Sequence, residues 1–292
     1  MNATGEKFRR MAVSAARSLK HHHPDIPIDL YTDVELEDPA FDRVYMLDDL
    51  GPRPRFEALR RCRFDKVILL DVDIVAVAPI YEVFDVLERF DMAMVLDQFR
   101  NGDAARRPWR EDIPDAFPQY NAGLVAMRMS DLTRSFVERW EAGFVEHGAG
   151  VDQPVMREIL WNESELRVAA LPPEYNLMDY IRIDAMSEYH SAPRIIHSYM
   201  LKLDGAYTGK DGRESKDGNL EWIMGKHRWF HLQQLLHNDR SLHAAHAGET
   251  QHTPVKYDAV FKLRYASLRL IADMPRKFAF FINRLKIRLF RS

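Results

Sequence analysis

The sequence predicts an α/β sandwich whose ligands gather at strand ends, and three observations predict it. Strand-like and helix-like segments alternate over the first two hundred residues. A short, apolar, β-branched run from Lys66 to Leu70 stops abruptly at acids, as a buried strand of a parallel sheet does. The chain has 292 residues, 46% of them hydrophobic, enough for one sizeable core, or a core with an appendage.

The elements follow in order. From Lys7 to Lys20, Phe8, Met11, Ala12, Ala15, Ala16 and Leu19 recur at helical spacing, and the run ends in three histidines and Pro24. Ile26 to Tyr31 and Arg43 to Leu47 read as short strands set off by Asp- and Pro-containing turns, with a helical segment from Phe56 to Cys62 before the strand that begins at Lys66. A helix from about Ile80 to Phe90, a strand from Met92 to Leu96, a polar loop through Arg110 and an apolar piece from Gly123 to Met129 complete the alternation. Residues 203–219, rich in Gly, Asp and Lys, read as a mobile loop, and a Trp- and His-rich helical region and a basic, Phe-rich tail follow.

Composition excludes some classes of function. A net charge of -3 gives no bias toward nucleic acid. Cys62 is the only cysteine, which rules out an internal disulfide framework and fits a reducing compartment. The first residues lack an apolar leader-like stretch, and no run approaches the roughly 18 apolar residues that cross a bilayer, so a cytoplasmic protein is expected. The tail is a local exception: Arg276, Lys277, Arg284, Lys286, Arg288 and Arg291 alternate with Phe278, Phe281, Ile282, Leu285 and Leu289 on one helical face. Such a helix either packs on the core or lies on an anionic membrane surface, and the second option makes the protein a peripheral one on the cytoplasmic face.

Asp71 and Asp73 follow the buried run with one residue between them. Two carboxylates so placed can face one crevice, where a hard divalent cation relieves their repulsion, or they simply end the strand in solvent. The surrounding residues decide between these. Phe64-Asp-Lys-Val-Ile-Leu-Leu-Asp-Val-Asp-Ile-Val, with Ile80 and Phe84 beyond it, resembles the Asp-x-Asp block of GT-A glycosyltransferases, nearest the glycogenin-like and lipopolysaccharide-galactosyltransferase-like family (family 8). Further blocks come in that family's order: Tyr120-Asn-Ala-Gly-Leu, the pair Asp152-Gln153, Leu171-Pro with Tyr175-Asn176, and Ile195-Ile-His197. Together they cover about residues 7 to 200.

The resemblance implies a GT-A fold, a mixed and mainly parallel sheet flanked by helices, with residues 1–202 as catalytic domain, 203–220 as flexible loop and 221–292 as helical C-terminal region. It implies that Asp73 and His197 ligate a metal, Mn²⁺ or Mg²⁺ by donor type, and that Asp71 shares the metal and helps hold the ribose of the donor. Asn121, Asp152 and Gln153 match positions that meet the transferred sugar and the reacting face. Arg55 and Lys202 fall where basic residues turn toward the diphosphate, whose charge they would help neutralise. Each has a plainer reading: a turn for Asn121-Ala-Gly, a helix N-cap for Asp152, a packed histidine for His197, solvated cations for Arg55 and Lys202. The donor implied is a nucleotide-sugar, a UDP-hexose first, and the acceptor a glycan or lipid-linked sugar, with retention of anomeric configuration.

Two departures qualify the resemblance. The family's first strand, part of its nucleotide pocket, is short or missing ahead of Ala3-Thr-Gly-Glu-Lys, and Lys202 is followed by Leu-Asp-Gly where the family has Pro-Trp. Two rival functions stand beside the transferase: a non-catalytic GT-A-like domain that binds nucleotide-sugar or glycan, and a haloacid-dehalogenase-like phosphatase with Asp71 phosphorylated and Asp73 as acid/base. The latter lacks the Gly-Thr expected after Asp73 and a later strand ending in paired acids. The histidines at 21–23, 227, 231, 237, 243 and 246 have no tight metal-ligand spacing and read as solvated or packing residues.

Overall fold

The first helix, α1 (Glu6–His22), forms where the apolar period predicts it and buries Met11, Ala12, Ala15, Ala16 and Leu19. Glu6 lies in its first turn and Lys20, His21 and His22 in its last, each sign complementing the helix dipole. The computed structural model to which it belongs describes residues 1–51, 53–148, 150–202, 220–245 and 263. The chain divides into two compact units, residues 1–250 and 251–292. The elements below belong to the first unit; residues 203–219 and 276–291, read from sequence as loop and tail, lie outside the described residues.

Beside α1, β1 (Asn2–Ala3), β2 (Asp29–Thr32) and β3 (Arg43–Met46) form a parallel three-stranded sheet in that order. The expected strand at Ile26 thus starts three residues later, at Asp29. Arg63 grips Asp29 with a two-pronged contact, Nε to Oδ2 at 2.8 Å and Nη2 to Oδ1 at 3.0 Å, and so ties the segment after α2 (Arg55–Arg60) to the base of β2.

The chain then makes β4 (Lys66–Leu70), β5 (Ile74–Ala76), the short α3 (Glu82–Val86), β6 (Met92–Leu96), α4 (Asp103–Arg106), β7 (Tyr120–Arg128), α5 (Asp131–His147), α6 (Gln153–Trp161), β8 (Val168–Leu171), β9 (Leu177–Met178) and β10 (Ile195–His197). Helices α7 (Leu220–Met224), α8 (Lys226–Asn238) and α9 (Arg240–Ala245) complete the described part. One sheet has the order β4-β7-β6-β8 and another β5-β10-β9. The sheets are mixed: β6 runs parallel to β8 and β9 to β10, whereas β7 is antiparallel to β4 and β6, and β10 to β5. Among the described residues, therefore, β4 does not have the parallel partner its apolar run implied. A strand covered on both faces reads the same in either direction, because burial and not direction writes the pattern. The helix expected from Ile80 to Phe90 shrinks to α3, and turn-type hydrogen bonds, such as Glu88 N–H to Asp85 O and Arg89 N–H to Val86 O, both at 3.1 Å, carry part of the rest.

α5 starts with a capping box, in which Ser130 and Thr133 each bond the other's backbone N–H, and stops at Gly148, whose φ of 64° suits a residue without Cβ. It packs closely on α6 because residue 143 is glycine: a Cβ there would lie 2.5 Å from Val155 Cγ1. Leu220, Met224, Leu232, Leu235 and Leu236 from α7 and α8 share a core with Val75, Val77 and Ile196. Fully burying such side chains contributes about 1.5–3 kcal/mol each.

A buried ion pair fastens this region to β10. Arg194 Nη1 lies 2.9 Å from Asp239 Oδ2, which also accepts the Ala192 N–H at 2.6 Å. Among the described residues no helix is long and apolar enough to cross a membrane. Asp239→Ala leaves Arg194 buried without its counter-charge, so chemical denaturation is expected to show a loss of about 3–5 kcal/mol; a loss below about 1 kcal/mol would contradict the pair's role as the fastening.

Candidate active site

Asp71, Val72 and Asp73 carry the chain from one sheet to the next. Asp71 donates its backbone N–H to Gly123 O at 2.9 Å, extending the β4–β7 ladder, and Asp73 accepts the Ser198 N–H on its carbonyl at 3.1 Å, extending β5–β10. Val72 between them is buried in the main core. The two acids are thus fixed to different sheets, one beside β7 and the other beside His197 at the end of β10. One donor atom from each of Asp71, Asp73 and His197 lies within 4.8 Å of the others. His197 Nε2 is 3.3 Å from Asp73 Oδ1.

β7 brings a second set of groups to the same place. Its register with β6 shifts between Met94, which pairs with Val125, and Leu96, which pairs with Tyr120. Such irregularities re-aim side chains, and the displaced stretch contains Asn121 and Gly123. Gly123 has to be glycine: a Cβ would stand 2.4 Å from His197 Cε1, 2.6 Å from its Nδ1 and 2.8 Å from Asn121 Oδ1. The imidazole packs against bare backbone.

Three carboxylates converge here, and one buried guanidinium offsets them. Arg55, 6% exposed, reaches Asp71 Oδ1 with Nη2 at 2.6 Å, and its Nη1 donates to Ala122 O at 3.0 Å and lies 3.3 Å from Asp152 Oδ2. Burial works against its charge, but Asp71, Asp152 and Asp73 outweigh burial and hold its pKa above the ordinary value. Asp152 occupies the N-cap position of α6 without capping it. Its Oδ2 faces Arg55 and also Arg53, whose Nε is 3.8 Å away and whose Nη2 donates to Gly150 O.

Asn121 joins these groups to the next layer. Its Oδ1 accepts the Gly123 N–H at 2.8 Å and Asn176 Nδ2 at 2.9 Å, and Asn176 Oδ1 lies 3.0 Å from His197 Nδ1. On the other side, Asn121 Nδ2 points toward Gln153 Oε1 and Asp97 Oδ2, while Gln153 Nε2 donates to that Asp97 oxygen at 2.6 Å.

Asp71, Asp73, His197, Asn121, Asp152, Gln153 and Arg55 therefore form one contiguous constellation. The backbone of Lys202 ends the 3-10 turn Tyr199–Lys202 just after β10, and its side chain lies outside the described residues. Asp97 and Arg53 were missed in the sequence. Asp97 had a readable signal, an acid directly after the buried strand Met92–Leu96, the same signal that singled out Asp71. Two carboxylates and an imidazole suit a divalent cation such as Mn²⁺ or Mg²⁺, and a spread of 4.8 Å is one that bonds of about 2.1 Å can span after small side-chain movements.

A sequence model described as nucleotide-diphospho-sugar transferase matches residues 64–215. No curated protein matches the chain. Among solved structures it is similar to a galactosyltransferase, LgtC, in complex with donor and acceptor sugar analogues, with a TM-score of 0.52 at 13% identity over 77% of this chain and 96% of that one. It is also similar to the glycosyltransferase GlyE of Streptococcus pneumoniae TIGR4, with a TM-score of 0.50 at 13% identity over 82% of this chain and 63% of that one. At such identities the likeness concerns the fold.

Because His197 is held from behind by Asn176, it cannot swing away from an added methyl. Gly123→Ala is expected to destabilise the protein by about 1–3 kcal/mol, seen as a lower urea midpoint. A wild-type midpoint would contradict the close packing of ring on backbone.

Proposed function

This chain belongs to the nucleotide-diphospho-sugar transferase family, and from that premise we propose that it moves a hexose from a nucleotide-sugar, UDP-hexose first, to a glycan or lipid-linked acceptor, with a divalent metal. The observation that carries the reading is the convergence of Asp71, Asp73 and His197 on the sugar-side group of Asn121, Asp152 and Gln153. The phosphatase reading falls with the family assignment.

Asp73 and His197 would hold the metal directly and Asp71 would share it. When bound, the metal supplies charge that neutralises the leaving diphosphate. Arg55 keeps Asp71 and Asp152 apart yet in place, and its fixed charge belongs to the field that meets the diphosphate; Lys202, in the turn after His197, is proposed to add a second cation. Asn121 and Gln153 present amides to the hydroxyls of the sugar. Asp152, aligned by Arg53 and Arg55, offers a carboxylate to the positive charge that develops at the anomeric carbon as its bond to the diphosphate oxygen breaks. That bond's electron pair leaves with the diphosphate, the acceptor oxygen bonds to the anomeric carbon from the same face, and the acceptor proton passes to the departing phosphate oxygen.

Calorimetric titration of UDP with and without Mn²⁺, on wild type and on Asp73→Ala, tests this. Metal-dependent binding is expected, weakened at least about tenfold in the variant, since even groups behind a metal ligand are worth that much. Binding that ignores both metal and substitution would contradict the reading, as would NMR of the transfer product showing an inverted anomeric centre.

A further inference from the structure

We propose that Asn176 is a positioning residue that holds His197 as the Nδ1–H tautomer, with the Gly123 N–H as the anchor of the hydrogen-bond chain that makes Asn176 do so. The proposal deepens the metal-dependent reading above and rests on it for its consequence, though not for its geometry.

One group in this network has no choice of role. A backbone N–H can only donate, and the N–H of Gly123 points at Asn121 Oδ1 from 2.8 Å. The orientation of the Asn121 amide is thereby fixed, with its Nδ2 turned to Asp97 Oδ2 and Gln153 Oε1 at 3.5 and 3.4 Å. Asp97, an acceptor when ionised, agrees with this: its Oδ2 takes the Gln153 Nε2–H at 2.6 Å and its Oδ1 the Phe99 N–H at 2.8 Å. Asn176 has one amide atom 2.9 Å from the same Asn121 oxygen. Turned over, it would set oxygen against oxygen, so this atom is Nδ2 and its Oδ1 faces His197. The ring nitrogen 3.0 Å from that oxygen, Nδ1, must then be the donor.

A neutral imidazole has one proton. With it on Nδ1, the lone pair is on Nε2, the atom 3.3 Å from Asp73 Oδ1. Two acceptors facing each other at that distance favour a cation in their reach. Asn176 is 0% exposed, Asn121 4%, Asp97 7% and His197 8%, so water does little to offset a wrongly turned amide. The same chain links the group proposed to read the sugar, Asn121 and Gln153, to the group proposed to read the metal. A histidine whose far nitrogen is held by a fixed partner is a better-aligned ligand, and loss of such a partner weakens metal binding about 10–100-fold.

Nitrogen-15 NMR of the metal-free protein at a pH where the imidazole is neutral tests the tautomer, with the His197 signals assigned against His197→Gln. A protonated Nδ1 and a bare Nε2 are expected, and the opposite tautomer would overturn the proposal without any substitution at Asn176. Mn²⁺ affinity, read from the EPR signal of free Mn²⁺, then separates positioning from packing. Asn176→Gln keeps both the oxygen that accepts Nδ1–H and the amide NH₂ that donates to Asn121 Oδ1, and is expected to bind Mn²⁺ more tightly than Asn176→Leu does. Asn176→Leu is expected to bind it about 10–100-fold more weakly than wild type does. A folded Asn176→Leu with wild-type affinity would overturn the proposal, and if that variant does not fold, the wild-type tautomer decides alone: a bare Nδ1 with a protonated Nε2 overturns it. Wild-type protein that binds no Mn²⁺ would count against the proposed function while leaving the tautomer result standing.

Discussion

The site depends on three residues that cross between two sheets. Asp71 is pinned to β7 and Asp73 to β10, and the buried Val72 between them leaves the crossing no freedom to relax. Two unit charges about 4 Å apart repel by about 4 kcal/mol at the effective dielectric typical of proteins, so the crossing is tenable only beside opposite charge. Arg55 supplies part of it from below, through Asp71 and Asp152. We propose that a divalent cation held by Asp71, Asp73 and His197 supplies the rest. The fold thus holds acids together that would separate if left to themselves.

The polar groups around the crossing are mostly buried, which makes small residues decisive. Gly123 lets the His197 ring lie on backbone, and its N–H sets the direction of the amides of Asn121 and Asn176. One glycine therefore has two jobs, steric and electrostatic. The bonds that run from His197 through Asn176 and Asn121 to Asp97 join the residues proposed to meet the sugar to those proposed to hold the metal.

Much of this was legible in the sequence, for physical reasons that differ by element. α1 was read because one-sided burial writes a helical period, and Asp71, Asp73, Asn121, Asp152, Gln153 and His197 were named through the order of blocks that resembles a known family; the structure brings these residues together. The direction of β4 was not legible, since a two-sided apolar run carries no sign of its partner. β5 was missed because three residues are too few to show a period. Arg55 was read as a cation facing diphosphate; its other partners, Ala122 O and Asp152, come from segments far along the chain. Asp97 had its signal, the acid after a buried strand, but its importance rests on contacts with Gln153 and Asn121 that only folding creates.

The measurement that bears most directly on the central claim is anomalous diffraction at the manganese edge from crystals grown with Mn²⁺ and UDP. One strong peak is expected within bonding distance of an Asp73 carboxylate oxygen and of His197 Nε2, with Asp71 beside it. A peak bound through His197 Nδ1, or a nucleotide seated with manganese elsewhere or absent, would contradict the claim that the crossing at Asp71–Asp73 exists to hold a metal against the donor.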